Sequence, residues 1–180
     1  MQKKSTCLVV TLPAVRGWEQ YGHMYVDALL RNFRFPHPSF VLSNPVFPEN
    51  LARAVPELRR QLGTLDLVVF PTFPERTSST PDTFVRDVEL EFRRHVLALL
   101  NIVVELKGLF RPDSKVIMTI QEPSHYSSVS QFIQNICPAA ISMVRAMPTF
   151  EKLDVSVQVV QTTPLAVSAF ADRLTLAVSA

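Results

Sequence analysis

Residues 39–70 read SFVLSNPVFPENLARAVPELRRQLGTLDLVVF. This stretch decides the fold, because it reads as two buried strands joined by a crossover helix. SFVLS (39–43) is an apolar run of strand length, and the proline-punctuated NPVFPEN ends it. A helix is predicted from Pro48 or Glu49 to Leu62, with Leu51, Val55, Leu58 and Leu62 on one face and Gly63 as its stop. LDLVVF (65–70) is again a strand. Strands that are apolar on both faces belong to parallel sheets covered by helices.

The same alternation continues in both directions. TCLVVTL (6–12) is the first strand, and a helix over about 19–33 follows, with Tyr21, Tyr25, Ala28, Leu29 and Phe33 at helical spacing. Pro36 and Pro38 end it. PTFPERTSSTPDT (71–83) has the composition of an exposed loop. The strongest periodicity comes next: Phe84, Val88, Phe92, Val96, Leu99, Val103, Leu106 and Phe110 predict a long amphipathic helix with Asp82 as N-cap. KVIMTI (115–120) and VSVQVV (155–160) are the fourth and fifth strands. Between them lies a helix over about 128–148, kinked or restarted at Pro138, and a last helix is expected over 164–176. The expectation is an α/β chain forming a single domain over 1–180. Its architecture is a Rossmann-like three-layer α/β/α arrangement around a mostly parallel sheet of about five strands.

Composition narrows the function. The chain is 47% hydrophobic with a mean hydropathy of +0.17, more than a small soluble domain needs for its core. Part of that surplus is expected to be buried against a partner. With 18 basic and 16 acidic residues the net charge is +2, and no basic stripe marks a nucleic-acid footprint. Cys7 and Cys137 lack metal-ligand spacing and read as small buried hydrophobes of a reducing compartment. His23 and His37 have no partner at ligand spacing either, so no metal is expected. No run of 18 apolar residues exists, which argues against a membrane span. The opening MQKKSTCLVVTL has too short an apolar run for a signal peptide, so an intracellular location is expected, cytoplasmic before mitochondrial. Four glycines stand against 14 prolines. Loops that cradle phosphate need glycine, for close backbone approach and positive φ.

The order of elements resembles the short-chain dehydrogenase/reductase family. Residues 40–70 look like that family's third strand, following helix and fourth strand, and LDLVVF sits where the family has Asp-x-Leu-Val. Helix 84–110 looks like its central helix, which often packs on a second subunit. AAISMVRAM (139–147) and LDVSVQVVQTTP (153–164) look like the elements after its catalytic motif. The resemblance implies a nicotinamide-dependent oxidoreductase, yet the signature residues are missing. TLPAVRGW (11–18) stands where the family has Thr-Gly-x-x-x-Gly-x-Gly, leaving Gly17 alone. Phe70-Pro71-Thr72-Phe73 replaces Asn-Asn-Ala-Gly, and Gln134 and Pro138 hold the places of Tyr-x-x-x-Lys. Gln121 or Glu122 stands for the catalytic serine, and no lysine occurs between Lys115 and Lys152. The family's second strand and following helix are read as absent, and with them the acidic residue that holds the adenosine ribose. A tyrosinate base needs a nearby cation, and a hydride donor must be bound before it reacts. These losses compound.

Residual chemistry has one candidate, Ser124-His125-Tyr126-Ser127, at the end of the fourth strand. Tyr126 as a displaced acid/base helped by His125 competes there with a plain helix N-cap. His95 lies near the position of the family's relay asparagine but beside Arg93 and Arg94, which suits a solvated or interface residue. Glu89 and Glu91 read as a solvated face. Gly-x-Ser-x-Gly and P-loop patterns do not occur. The sequence thus points to a non-catalytic pseudoenzyme without cofactor, a scaffold or subunit that meets other protein subunits or a second copy. Its contact residues are expected to be Phe84, Val88, Phe92, Val96, Leu99, Val103, Phe170 and Leu174. The rival is a divergent NAD(P)-dependent oxidoreductase using His125, Tyr126 and Gln121. A third reading is a small-ligand module with a cleft above Thr11, Phe70 and Ile120.

Overall fold

The computed structural model describes residues 6–11, 39–72, 80–121 and 128–160. Among the described residues five strands form one sheet: β1 (Cys7–Thr11), β2 (Ser39–Leu42), β3 (Leu65–Thr72), β4 (Phe110–Gln121) and β5 (Asp154–Val160), in spatial order β2-β1-β3-β4-β5. Every pairing is parallel. β1 is buried at all five positions, as a central strand covered on both faces must be.

Three connections advance across the sheet in one direction, from β2 to β3, β3 to β4 and β4 to β5. Right-handed crossovers place their helices on one face. Those helices are α1 (Pro48–Leu62), α2 (Phe84–Phe92) continued by α3 (Ala98–Glu105), and α4 (Ser128–Arg145). They form one layer: α1 packs on α3, and α4 packs on α2 and on the turn between α2 and α3. The expected helices 19–33 and 164–176 lie outside the described residues.

The core sits between this layer and the sheet. Leu8, Val10, Val68, Phe70, Val116 and Met118 from alternate strand positions meet Leu51 and Leu58 of α1, Leu99, Ile102 and Val103 of α3, and Ile141 and Val144 of α4. Burying each large side chain stabilises the fold by about 1.5–3 kcal/mol. The intervening residues Cys7, Val9, Leu67 and Val69 are buried on the opposite face.

Helix α1 follows its sequence signals. Pro48 opens it, Glu49 lies in its first turn and Arg59 and Arg60 in its last, matching the helix dipole. Gly63 ends it at φ 72°, where its N–H donates to the Arg59 carbonyl at 2.9 Å. Three expectations shift. The N-cap of α2 is Thr83, not Asp82, and its Oγ1 accepts from Thr80 N at 3.1 Å. The long helix stops at Glu105, so Phe110, expected as its last apolar position, opens β4. α4 runs through Pro138 as one helix and ends at Arg145.

The missing strand is also reassigned. β2 pairs directly with β1, with Val9 against Phe40 and Val10 against Val41. In the doubly wound order 3-2-1-4-5-6 the strand beside the first is the second. Residues 39–42 therefore hold the second-strand place and not the third. Among the described residues it is the outer, third strand that has no counterpart.

Candidate functional site at the strand ends and the central helix

Open parallel sheets take ligands at the carboxyl ends of their strands, where the strand order reverses. Here the reversal lies between β1, β2 and β3. Thr11 ends β1 beside Leu42, and Pro71 and Thr72 end β3 opposite Thr119 and Ile120. Gln121 ends β4 opposite Val160. Sequence reasoning places Thr11, Phe70 and Ile120 at this end, and the register brings the three strands together there. Phe70 itself is fully buried in the core, so it lines no cleft. His125 and Tyr126 lie outside the described residues, as do Phe170 and Leu174.

Two buried hydroxyls mark this end. Among the described residues Thr11 Oγ1 and Ser43 Oγ have no hydrogen-bond partner, although Ser43 N donates to the Thr11 carbonyl at 3.0 Å. Such groups are costly unless something satisfies them. A dinucleotide would need more. The residues ending β2 are Ser43 and Asn44, and neither is the carboxylate that would hold ribose hydroxyls. Asn44 is already occupied, because its Oδ1 accepts from Val46 N at 3.2 Å and its carbonyl from Asn50 Nδ2 at 3.4 Å. Asn101 clamps the same loop from α3, donating to the carbonyls of Pro45 at 2.9 Å and Val46 at 3.2 Å. The described strand ends supply no glycine. These residues do not fit a dinucleotide bound in the usual way.

The second feature is one that sequence reasoning misses. Asp87, Glu91 and His95 stand four residues apart along the central helix, and all three are buried. Glu91, expected to be solvated, is only 2% exposed. Glu89 does face solvent, bonded to Arg93 at 2.8 Å. His95 is likewise buried, against its reading as a solvated or interface residue. The spacing was the available signal: each of the three precedes an apolar stripe residue, Val88, Phe92 or Val96, and so follows the stripe inward. At Arg93–Leu97 the helix widens into a π turn, which joins α2 to α3.

His95 Nδ1 lies 2.8 Å from the Glu91 carbonyl and 3.3 Å from Glu91 Oε2. A carbonyl can only accept, so Nδ1 carries the proton and Nε2 is the bare acceptor. Among the described residues Nε2 has no hydrogen-bond partner. Burial, helped by the charge of Arg94 and opposed by the bond to the Glu91 carbonyl, pushes His95 down to about 4. It is therefore neutral at pH 7 and poorly matched to acid–base work there. Among the described residues no group of His, Cys, Asp or Glu is placed to hold a metal ion.

The central helix also corrects the expected contact residues. Val96, Leu99 and Val103 are core residues, and Phe92 packs against that core. Val88 is half-buried and Phe84 exposed. The most regular apolar stripe is regular because it faces the sheet. A second row, Leu90, Leu97 and Val104, remains at the surface at 37–42% exposure. On α4, Met143 is 63% exposed.

Solved structures supply the deciding observation. A short-chain dehydrogenase/reductase (glucose/ribitol dehydrogenase) from Brucella melitensis superposes with a TM-score of 0.67 over 100% of this chain and 94% of its own, at 10% identity. The fold is that of the short-chain dehydrogenases. A carbonyl reductase from Pseudomonas aeruginosa PAO1 gives 0.66 at 17% identity, covering 97% of this chain and 90% of that one. An NADH-dependent reductase, A1-R', complexed with NAD gives 0.70 at 10% identity, covering 96% and 88%. The sequence matches no protein-family model and no curated protein. The short-chain dehydrogenase fold thus stands here on a sequence only 10–17% identical to these structures. Among the described residues no helix is long and apolar enough to cross a membrane.

Proposed function

We propose that this chain is a non-catalytic short-chain dehydrogenase-like subunit that acts by binding protein, with a second copy of itself as the first partner to test. The observation that carries the reading is the outer face of the central helix. Leu90, Leu97 and Val104 recur at seven-residue intervals along it, and each keeps more than a third of its surface exposed. Apolar rows of this kind on a surface mark interaction sites. Two further points support it. The strand-end residues do not suit a dinucleotide, and the one described histidine of the central helix is held neutral far below the pH at which it would serve as a base.

The test is sedimentation equilibrium of the purified protein and of Leu97→Glu. The reading expects concentration-dependent dimerisation that the substitution abolishes. Because Leu97 is a surface residue, its replacement should change unfolding stability by no more than about 0.5 kcal/mol. A wild-type chain that stays monomeric throughout, or a variant that dimerises equally well, contradicts the reading.

The rival, a divergent NAD(P)-dependent oxidoreductase, draws support from one observation. The unsatisfied hydroxyls of Thr11 and Ser43 lie at the end of the sheet where this fold places ligands. Saturable nucleotide binding would favour it.

A further inference from the structure

At the amino ends of β4 and β5, far from Thr11 and Thr72, the surface opens into a cavity of about 310 Å³. That volume falls at the lower end of the range for small-molecule pockets. We propose that this cavity binds a small ligand with an anionic head, phosphate or carboxylate, on a flat apolar body. The inference is independent of the docking reading above.

The walls are built for the purpose by a bulge in β4. Leu65 pairs with Phe110, but Leu67 pairs with Lys115, so residues 111–114 loop out of register. Ser114 fastens the loop: its Oγ accepts from Arg111 N at 2.8 Å and donates to the Leu65 carbonyl at 2.6 Å. Asp113 takes the left-handed conformation, at φ 71°, and its N–H donates to the Lys152 carbonyl at 3.1 Å. A non-glycine residue held there is a strained feature that the surroundings must enforce. That hydrogen bond ties the bulge to the segment leading into β5 and closes the wall between them.

The lining divides by chemistry. Phe110, Phe150 and Leu153 give it apolar surface, with Phe150 and Leu153 buried. Lys107 and Lys152 supply two cations against the single carboxylate of Glu151, the charge of Arg111 being met by Asp66. Arg111 also lines the pocket, with its guanidinium bonded to Asp66 Oδ1 at 2.9 Å. Lys107 and Lys152 are exposed and form no ion pair among the described residues. Rings beside unneutralised cations suit an aromatic or acyl body that carries a negative head.

Phenyl phosphate is the probe, titrated into the intact protein by calorimetry, with inorganic phosphate and benzyl alcohol as half-probes. The proposal expects saturable one-to-one binding of phenyl phosphate with Kd near or below about 1 mM, and each half-probe binding at least about tenfold more weakly. Lys107→Glu combined with Lys152→Glu should cost about tenfold or more, since attraction at two exposed positions becomes repulsion. Thr149→Trp, at an exposed lining position, should block the cavity without changing charge. Unchanged thermal melting of both variants shows that they are folded. Absence of saturable phenyl phosphate binding, or wild-type affinity in either variant, overturns the proposal.

Discussion

Acid should destabilise this protein through His95. His95 is buried and neutral, and folding pushes it down from 6.5 to about 4. Between those limits the unfolded chain holds a proton that the folded chain refuses, so stability falls as pH falls. Above about pH 6.5 both states are neutral and nothing is lost; below about pH 4 both are charged and the loss is complete. The full drop is about 3 kcal/mol, because each tenfold weakening of proton binding on folding costs about 1.4 kcal/mol. Most of it, about 2 kcal/mol, falls between pH 7 and pH 4.5. Against a typical stability of about 5–15 kcal/mol that is a large fraction. The assay is urea unfolding at both pH values for the wild type and for His95→Asn, which removes the titrating group. The variant starts less stable, but its loss on acidification should be smaller than the wild type's by about 2 kcal/mol. Equal losses in the two proteins would refute the claim that burial holds His95 neutral.

Two other outcomes follow from the core. Leu99→Ala, at a fully buried position of α3, should cost about 2–5 kcal/mol in urea unfolding, because the sheet and helix layer cannot close on the space. Burial raises the thiols of both Cys7 and Cys137, the latter to about 12, so neither should react with a thiol reagent at pH 8 until denaturant is added.

The framework was legible because apolar runs and helical periods are local signals. α1 could be bounded from Pro48 and Gly63 alone, and the strands located from their β-branched apolar runs, although β4 begins at Phe110, ahead of KVIMTI. Pairing is not local. Nothing in SFVL says whether it lies beside β1 or one strand further out, and only the register of Val9 with Phe40 settles it. The end of the long helix was overrun because Leu106 and Phe110 continue a four-residue spacing, while the chain leaves the helix through a 3-10 turn at Lys107–Leu109. The contact face was inverted for a related reason: periodicity identifies an apolar stripe without saying whether a sheet or a partner covers it. Residue type reads Glu91 as a solvated face and His95 as a solvated or interface residue, although their spacing follows the buried stripe. The cavity beside Asp113 was invisible, since its walls come from two segments that meet only through the bulge in β4.

The central proposal, a dehydrogenase-like fold that does not bind nicotinamide nucleotides, is tested most directly by titrating the purified protein with NADH and NADPH and following nicotinamide fluorescence. No saturable binding is predicted up to millimolar nucleotide. Saturable binding in the micromolar range would contradict the claim and direct attention to the hydroxyls of Thr11 and Ser43.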